Sequence, residues 1–292
     1  MKYSFVLPAS ILAVLIIVFN EMQSHPYLQG SLPSLSEKTS RNDTSLGNGC
    51  YHVFIDAGSN VGVHGRFLFE PEKYPISKFA GKFDELFGNN RTLQNVCVFA
   101  FEPNPMHRRS QSTTELFYNH MGWRYHYMPF GVSDKDGNLT FYHNTLSDWG
   151  GQCEEWGFSM FPTAVAENQT KFEAVSVNIV NLSAWMETNI LNRYIPPRNQ
   201  YNTLPPLLIM KMDIEGSEYN VLESLLKSGV SHKFDHILGE FHPYKNLSHT
   251  ELSDLRHNIT TRLQLNGGPG FLQFDDEEYL HDGMEYPLPT KS

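Results

Sequence analysis

Carboxylates in this chain fall where apolar runs stop. Asp56 closes Val53-Phe54-Ile55, and FIDAGSNVG then places Gly58, Asn60 and Gly62 behind it. Glu102 closes the run in FAFEPNP, ahead of Pro103 and Pro105. Asp213 follows LLIMKM with Glu215 two places on, and Glu240 and His242 follow HILG. An ionised carboxylate offers two oxygens as acceptors and can take a proton, and an imidazole titrates near neutrality, so these residues suit ligand binding and general acid–base work. The spacing Asp-x-Gly-x-x-x-Gly has two readings. A tight turn after a strand lets backbone approach a bound molecule, or a strand-to-helix turn needs glycine for its geometry alone. It is not the Gly-x-Gly-x-x-Gly of dinucleotide enzymes.

The elements that must position these groups can be read from periodicity and breakers. CYHVFIDAG and NVCVFAFEPNP read as strands, the second halted by its prolines. QSTTELFYNHMG reads as a helix. YHYMPFGVSDKDGNLTFYH reads as a strand, an Asp136-Gly137 turn and a further strand, and KFEAVSVNIV alternates like a strand with one buried face. NLSAWMETNIL is a short helix capped by Asn181 or Ser183. A buried strand then runs to Asp213. The helix after it begins near Gly216, carries Tyr219, Leu222, Leu225 and Leu226 on one stripe, and stops at Gly229. KFDHILGEFHP is another strand and GFLQFDDEEYL a terminal one with an acidic tail. Strands alternating with helices imply a parallel α/β sheet with helices on both faces, whose ligands bind beyond the carboxyl ends of the strands. Asp56, Glu102, Asp213, Glu240 and His242 all stand at such ends.

FIDAGSNVG, FAFEPNP, GVSDKDGNLTFY and IMKMDIEGSEYNVLESLL, in that order over about residues 51 to 242, resemble the FkbM-type S-adenosylmethionine-dependent methyltransferases. The resemblance implies a class I, Rossmann-like fold: a mostly parallel seven-stranded sheet with a late antiparallel strand. It implies O-methyl transfer to a hydroxyl with S-adenosyl-L-methionine as cofactor. Carried over by motif, Asp56, Gly58, Asn60 and Gly62 form the cofactor loop near the amino-acid part. Glu102 accepts the two ribose hydroxyls, and Asp134 approaches the adenine unless it is an ordinary turn acid. One departure is the 46 positions between Asp56 and Glu102, where about 20 are usual. The extra segment, around Glu70 to Arg91, is expected as a surface insertion or a lid.

Asp213, Glu215, Glu240 and His242 are the candidate catalytic residues, with His242 favoured as general base. Their competing roles are structural: a lone histidine after a strand, and acids at the positive end of the next helix. The same four groups could hold a divalent ion, although no metal is required by the motifs. Two rival functions remain open, a luminal metal-dependent glycosyltransferase using Asp213-x-Glu215 and a non-catalytic protein that kept the fold.

The chain has 292 residues, 40% of them hydrophobic, and a net charge of −10 from 32 acids against 22 Lys plus Arg. It has enough apolar residues for one good core or two small ones, and no basic block that would fit nucleic acid. Residues 1–4 read as a cytosolic tail. Phe5 to Phe19 is nearly all apolar, and 5–20 reads as an uncleaved signal anchor, about the shortest length that spans a bilayer. Lys2 ahead of the run orients the remainder into the lumen. Residues 21–49 read as a flexible stem and 50–292 as the methyltransferase domain. The expected protein is a single-pass type II membrane protein of the secretory pathway, at the Golgi, or a secreted one if the segment is a cleaved signal peptide. Its partners would be the membrane and a small-molecule or glycan acceptor. Sequons at Asn42, Asn90, Asn138, Asn168, Asn181, Asn246 and Asn258 agree with that address. Of Cys50, Cys97 and Cys153, one pair can bridge in an oxidising lumen, and the sequence does not choose it.

Overall fold

The computed structural model describes residues 45–75, 77–88, 95–143, 158–160, 173–202, 204–244 and 247–274. The chain divides into two units, Met1–Arg41 and Asn42–Ser292. The first, which contains the tail, the apolar run and most of the expected stem, lies outside the described residues. Among the described residues no helix is long and apolar enough to cross a membrane.

Among the described residues of the second unit there are nine strands and six helices. The strands are β1 (His52–Ala57), β2 (Val96–Phe101), β3 (Arg124–Met128), β4 (Gly131–Ser133), β5 (Gly137–His143), β6 (Glu173–Asn181), β7 (Leu208–Met212), β8 (His236–Gly239) and β9 (Phe271–Gln273). The helices are α1 (Val63–Phe69), α2 (Lys78–Phe87), α3 (Arg108–His120), α4 (Leu182–Met186, continued by a π turn Glu187–Leu191), α5 (Glu218–Ser228) and α6 (His249–Leu265). The main sheet has the order β3-β2-β1-β7-β8-β9, and every neighbouring pair in it is parallel.

Side chains alternate across these strands, so each strand feeds two cores. Val53, Ile55, Phe99, Phe101, Met210 and Met212 face Leu182, Met186, Leu222 and Leu225 of α4 and α5 and Leu252, Ile259 and Leu263 of α6. Phe54, Val98, Ala100 and Ile209 face α1, α2 and Tyr118 of α3. The doubly covered α/β sheet is therefore as expected, but with six strands rather than seven. The antiparallel pairing lies elsewhere, in a separate three-stranded sheet of order β4-β6-β5. There β5 runs antiparallel to β6 and β4 runs parallel to it. The Asp136-Gly137 turn thus reverses the chain without closing a hairpin, because β6 enters between its two arms.

The segment between Asp56 and Glu102 is built into the core. Phe79, Phe83 and Phe87 of α2 recur every four residues, and all three are buried. Phe83 meets Phe54 edge-on, and Phe87 meets His52. Glu70, buried just after α1, accepts from the Tyr118 hydroxyl and pairs with Lys73. The expected surface insertion or lid is instead a core layer over one face of β1 and β2, placed there by its aromatic stripe. Its last residues, 89–91, lie outside the described residues.

A disulfide joins Cys50 to Cys97, Cα to Cα 5.6 Å, near the start of the adjacent strands β1 and β2. Cys153 lies outside the described residues. Residues 45–49, read from sequence as the end of a stem, bond to the π turn and the loop after it. Gly47 N–H donates to Asn189 O at 2.9 Å and Gly49 N–H to Tyr194 O at 2.8 Å.

Candidate functional site

The cofactor-type loop follows β1. Gly58 and Ser59 each donate a backbone N–H to Phe101 O at 3.0 Å, so the loop folds across the end of β2. Gly58, Asn60 and Gly62 all have positive φ, at 76°, 51° and 87°. The glycine requirement at 58 is a packing one: a Cβ there would stand 1.7 Å from Asp213 O. Gly239, at the end of β8, is pinched in the same way, since its Cβ would lie 1.8 Å from Met212 O. The two strands flanking β7 thus close on its carboxyl end through glycines, which brings Asp56, Asp213 and Glu240 around Lys211. Of the two readings of the glycine spacing, geometry alone accounts for Gly58.

Glu102 is buried and braces that loop. Its two oxygens accept from Asn60 N–H and Asn104 N–H, each at 2.8 Å. One lone pair on each oxygen is left over, which suits a vicinal diol. Asp56 is fully buried, and neither of its oxygens receives a hydrogen bond. Lys211, its register partner on β7, stands 3.8 Å away, and His64 stands 3.7 Å away. Burial pushes the Asp56 carboxyl up to about 7, with Asp213 and Glu102 adding to the shift and Lys211 opposing it. Burial, and then Lys211, hold His64 well below the ordinary histidine value, so it is neutral. A buried acid without a hydrogen bond is costly, and it fits a cationic group such as the ammonium of an amino-acid cofactor. Asn60 Oδ1, also buried without a hydrogen bond, adds an acceptor. On these three observations the residues fit S-adenosylmethionine.

Two residues of this region were not legible from motif spacing. Lys211 donates to Gly58 O at 2.8 Å and to Asp213 Oδ2 at 3.3 Å, tying the loop to β7. Burial works against its ammonium, but Asp213 and Asp56 outweigh that and hold its pKa above the ordinary value. Gln111, fully buried on α3, donates to Ser59 Oγ at 2.8 Å and Asn60 O at 2.6 Å while accepting from the Tyr125 hydroxyl at 2.7 Å. The one signal for Lys211 was a charge inside an otherwise apolar strand. Gln111 gave none.

Asp134 is exposed, and its bonds run away from the cofactor loop. Its Oδ1 accepts from Ser133 Oγ at 3.1 Å and its carbonyl from Asn181 Nδ2 at 3.0 Å. It lines a cavity of about 570 Å³ with Ser183, Glu187, Asn220 and Ser224, between α4 and α5. The turn-acid reading of Asp134 describes these bonds.

At the ends of β7 and β8, three of the four candidate catalytic residues converge. His242 Nε2 lies 3.6 Å from Asp213 Oδ1 and 3.7 Å from Glu215 Oε1. Its other nitrogen meets Glu218 Oε1 at 2.9 Å. Glu218, fully buried in the first turn of α5, also accepts from Ile214 N–H at 3.1 Å and Gly216 N–H at 3.0 Å. Glu218 therefore fills the helix-start role expected of Asp213 and Glu215, and leaves those two to face His242. Glu240 does not join the triad, but its charge acts on Glu215 and Lys211. Burial disfavours the imidazolium of His242, yet the Glu218 bond with Glu215 and Asp213 outweighs it and lifts the pKa to about 10. Burial, with the neighbouring acids, raises Glu215 to about 8 against the pull of His242. Burial also opposes the Asp213 charge, but Lys211 and His242 hold its pKa below the ordinary value. The acids around His242 favour its cationic form, a hydrogen-bond donor, and Asp213 is held ionised beside it.

Among known proteins, the methyltransferase FkbM domain matches residues 56–260. The match contains both the cofactor loop and the Asp213–Glu215–His242 cluster. The crystal structure of the methyltransferase FkbM from Methylobacillus flagellatus KT is similar at 15% identity, covering 72% of this chain and 37% of that one. Its TM-score is 0.36, and this chain spans little more than a third of that protein's length. Comparison with curated proteins gives no match. A domain match over more than half of the chain, with the motif residues gathered at one end of a parallel sheet, makes this chain a member of the FkbM methyltransferase family.

Proposed function

We propose that this methyltransferase transfers a methyl group from S-adenosyl-L-methionine to a hydroxyl of a sugar, on a glycan or a small-molecule acceptor, in the secretory lumen. The observation that carries the reading is the fully buried Asp56 carboxylate, which lacks a hydrogen bond and stands close enough to Glu102 to feel its charge. Asp56 and Asn60 Oδ1 would hold the ammonium of the cofactor, and Glu102 would take the ribose hydroxyls through its spare lone pairs. The bound cofactor supplies an electrophilic methyl on a sulfonium. Alignment of the two reactants provides much of the catalysis in such a displacement. The acceptor hydroxyl would lie against Asp213, Glu215 and His242, with Asp213 taking its proton and the His242 imidazolium donating to the acceptor. Glu240 contributes charge at the rim.

Several features support the luminal address. The Cys50–Cys97 disulfide suits an oxidising compartment. Asn138 and Asn258, both within sequons, are exposed. An anchor at residues 5–20 would tether the protein, and the net charge of −10 disfavours nucleic acid as acceptor. Family membership favours methyl transfer over the glycosyltransferase alternative.

The test is equilibrium binding of labelled S-adenosylmethionine against a panel of labelled nucleotide sugars, followed by transfer of labelled methyl to glycans. Saturable cofactor binding and label on sugar oxygen are expected. Binding of a nucleotide sugar instead would overturn the cofactor. Label found only on protein side chains would overturn the acceptor.

A further inference from the structure

We propose that Asp213, Glu215 and His242 form a binding site for one divalent cation, Mn²⁺ in preference to Mg²⁺. One donor atom from each of the three lies within 4.8 Å of the others. Two of the separations, 3.6 and 3.7 Å from His242 Nε2, are too long for hydrogen bonds. They are close to the spacing of neighbouring ligands around one ion, which is roughly 3.0–3.6 Å for metal–ligand bonds of about 2.1–2.2 Å.

A second observation, independent of the three donors, points the same way. Glu218, fully buried, meets His242 Nδ1 at 2.9 Å and is itself fixed by two backbone N–H groups of the β7–α5 loop. A carboxylate behind a ring nitrogen is the arrangement that orients metal-binding histidines, since it fixes the tautomer and aims the other nitrogen at the ion. Here that other nitrogen is aimed at Asp213 and Glu215. Asp213 serves two partners: Oδ2 takes Lys211, and Oδ1 faces the site. The three side chains are all partly exposed, so an ion could enter from solvent and keep coordination positions open.

One nitrogen and two carboxylate donors suit Mn²⁺, whereas Ca²⁺ needs six to eight oxygens and Mg²⁺ takes all-oxygen shells. The ion would displace the proton that His242 otherwise carries and take over its place toward the acceptor, so the imidazolium role described above belongs to the ion-free protein. Its use rests on the methyl-transfer reading: an ion facing the acceptor lowers the pKa of the hydroxyl it touches, which makes a poor nucleophile competent. Ion binding itself does not depend on that reading.

The probe is Mn²⁺ alone, titrated into the purified full-length chain, with free ion followed by electron paramagnetic resonance. One saturable ion per chain is expected. His242→Ala and Asp213→Asn should each weaken it at least tenfold, and Glu218→Gln should weaken it about 10- to 100-fold, as removal of a supporting carboxylate does elsewhere. Circular dichroism checks that each variant is folded. Glu215→Gln, a change at a partly exposed side chain, keeps the test decisive if the others do not fold. No saturable binding, or binding that these substitutions leave unchanged, overturns the site. Cofactor binding, measured separately without Mn²⁺, tells the two proposals apart: its failure sinks methyl transfer and leaves the ion site standing.

Discussion

Asp56 shows how one residue can trade stability for a ligand. Its folded pKa is raised to about 7 from 3.8, so the folded chain keeps a proton that the unfolded chain has released. Its contribution to stability is therefore full below pH 4 and is lost as pH rises through 7. Lys211, His64, Asp213, Glu102 and Tyr125 all act on or stand beside this group, and Lys211 alone offsets it. Asp56→Asn should raise the stability of the cofactor-free protein at pH 8 by roughly 1–3 kcal/mol, flatten its decline between pH 4 and 8, and abolish cofactor binding. Urea titrations at several pH values, paired with calorimetry, would check this. An Asn variant no more stable than wild type would refute it. Glu102→Ala should cost both affinity and fold. Loss of charge-assisted bonds to two hydroxyls should weaken S-adenosylmethionine about 30- to 150-fold. The orphaned Asn60 and Asn104 N–H groups should cost about 1–3 kcal/mol each where they stay buried. The sequence disclosed Asp56 and Glu102 because each ends an apolar run. It could not disclose the charge state of His242, which depends on a buried glutamate 24 positions away.

At the scale of elements, motif residues were legible where local rules govern them. Asn181 or Ser183 was read as the cap of α4, and it is the Asn181 side chain that accepts from Ala184 N–H at 3.1 Å. Gly229 was read as the stop of α5, and it has left-handed φ. Helix α6 was not read at all, although Ser248 and Glu251 form a capping box. Only Leu252, Ile259 and Leu263 are buried along its 17 residues, too sparse a stripe to stand out from the polar residues around it. Ser248→Ala should cost about 0.5–2 kcal/mol through the lost cap, measured as a shift in the denaturation midpoint. On the ligand reading of the glycine spacing, Gly58→Val would block a bound molecule. With Asp213 O standing 1.7 Å from the position of its Cβ, the larger effect should be on folding. Circular dichroism should show Gly58→Val unfolded or with reduced strand signal. A native spectrum with only the cofactor lost would restore the ligand explanation. The pairing of β6 between β4 and β5 was not legible, because a turn sequence reports the reversal and not which strand fills the gap.

For the whole molecule, the disulfide decides more than any single contact. A bridge closing a loop of this length contributes about 4 kcal/mol on a chain-entropy estimate. Cys50→Ser with Cys97→Ser should lower unfolding free energy by about 2–4 kcal/mol, and reductant should do the same to the native chain while leaving the double variant unmoved. If the protein faces the lumen, Asn138 and Asn258 should carry glycans and Asn181 should not, since its amide donates to Asp134 O and its oxygen caps α4. Mass spectrometry of protein from its native host would read this site by site, and full occupancy at Asn181 would contradict it. Which two cysteines pair was invisible in one sequence, because the pairing follows from β1 and β2 lying side by side. The bridge also makes residues 50 to 97 a covalent ring that contains the whole cofactor loop, both aromatic-rich helices and Glu70. A single protease cut anywhere inside that ring opens it without freeing a piece. On a gel without reductant the nicked chain should run as one band, and only reduction should split it in two.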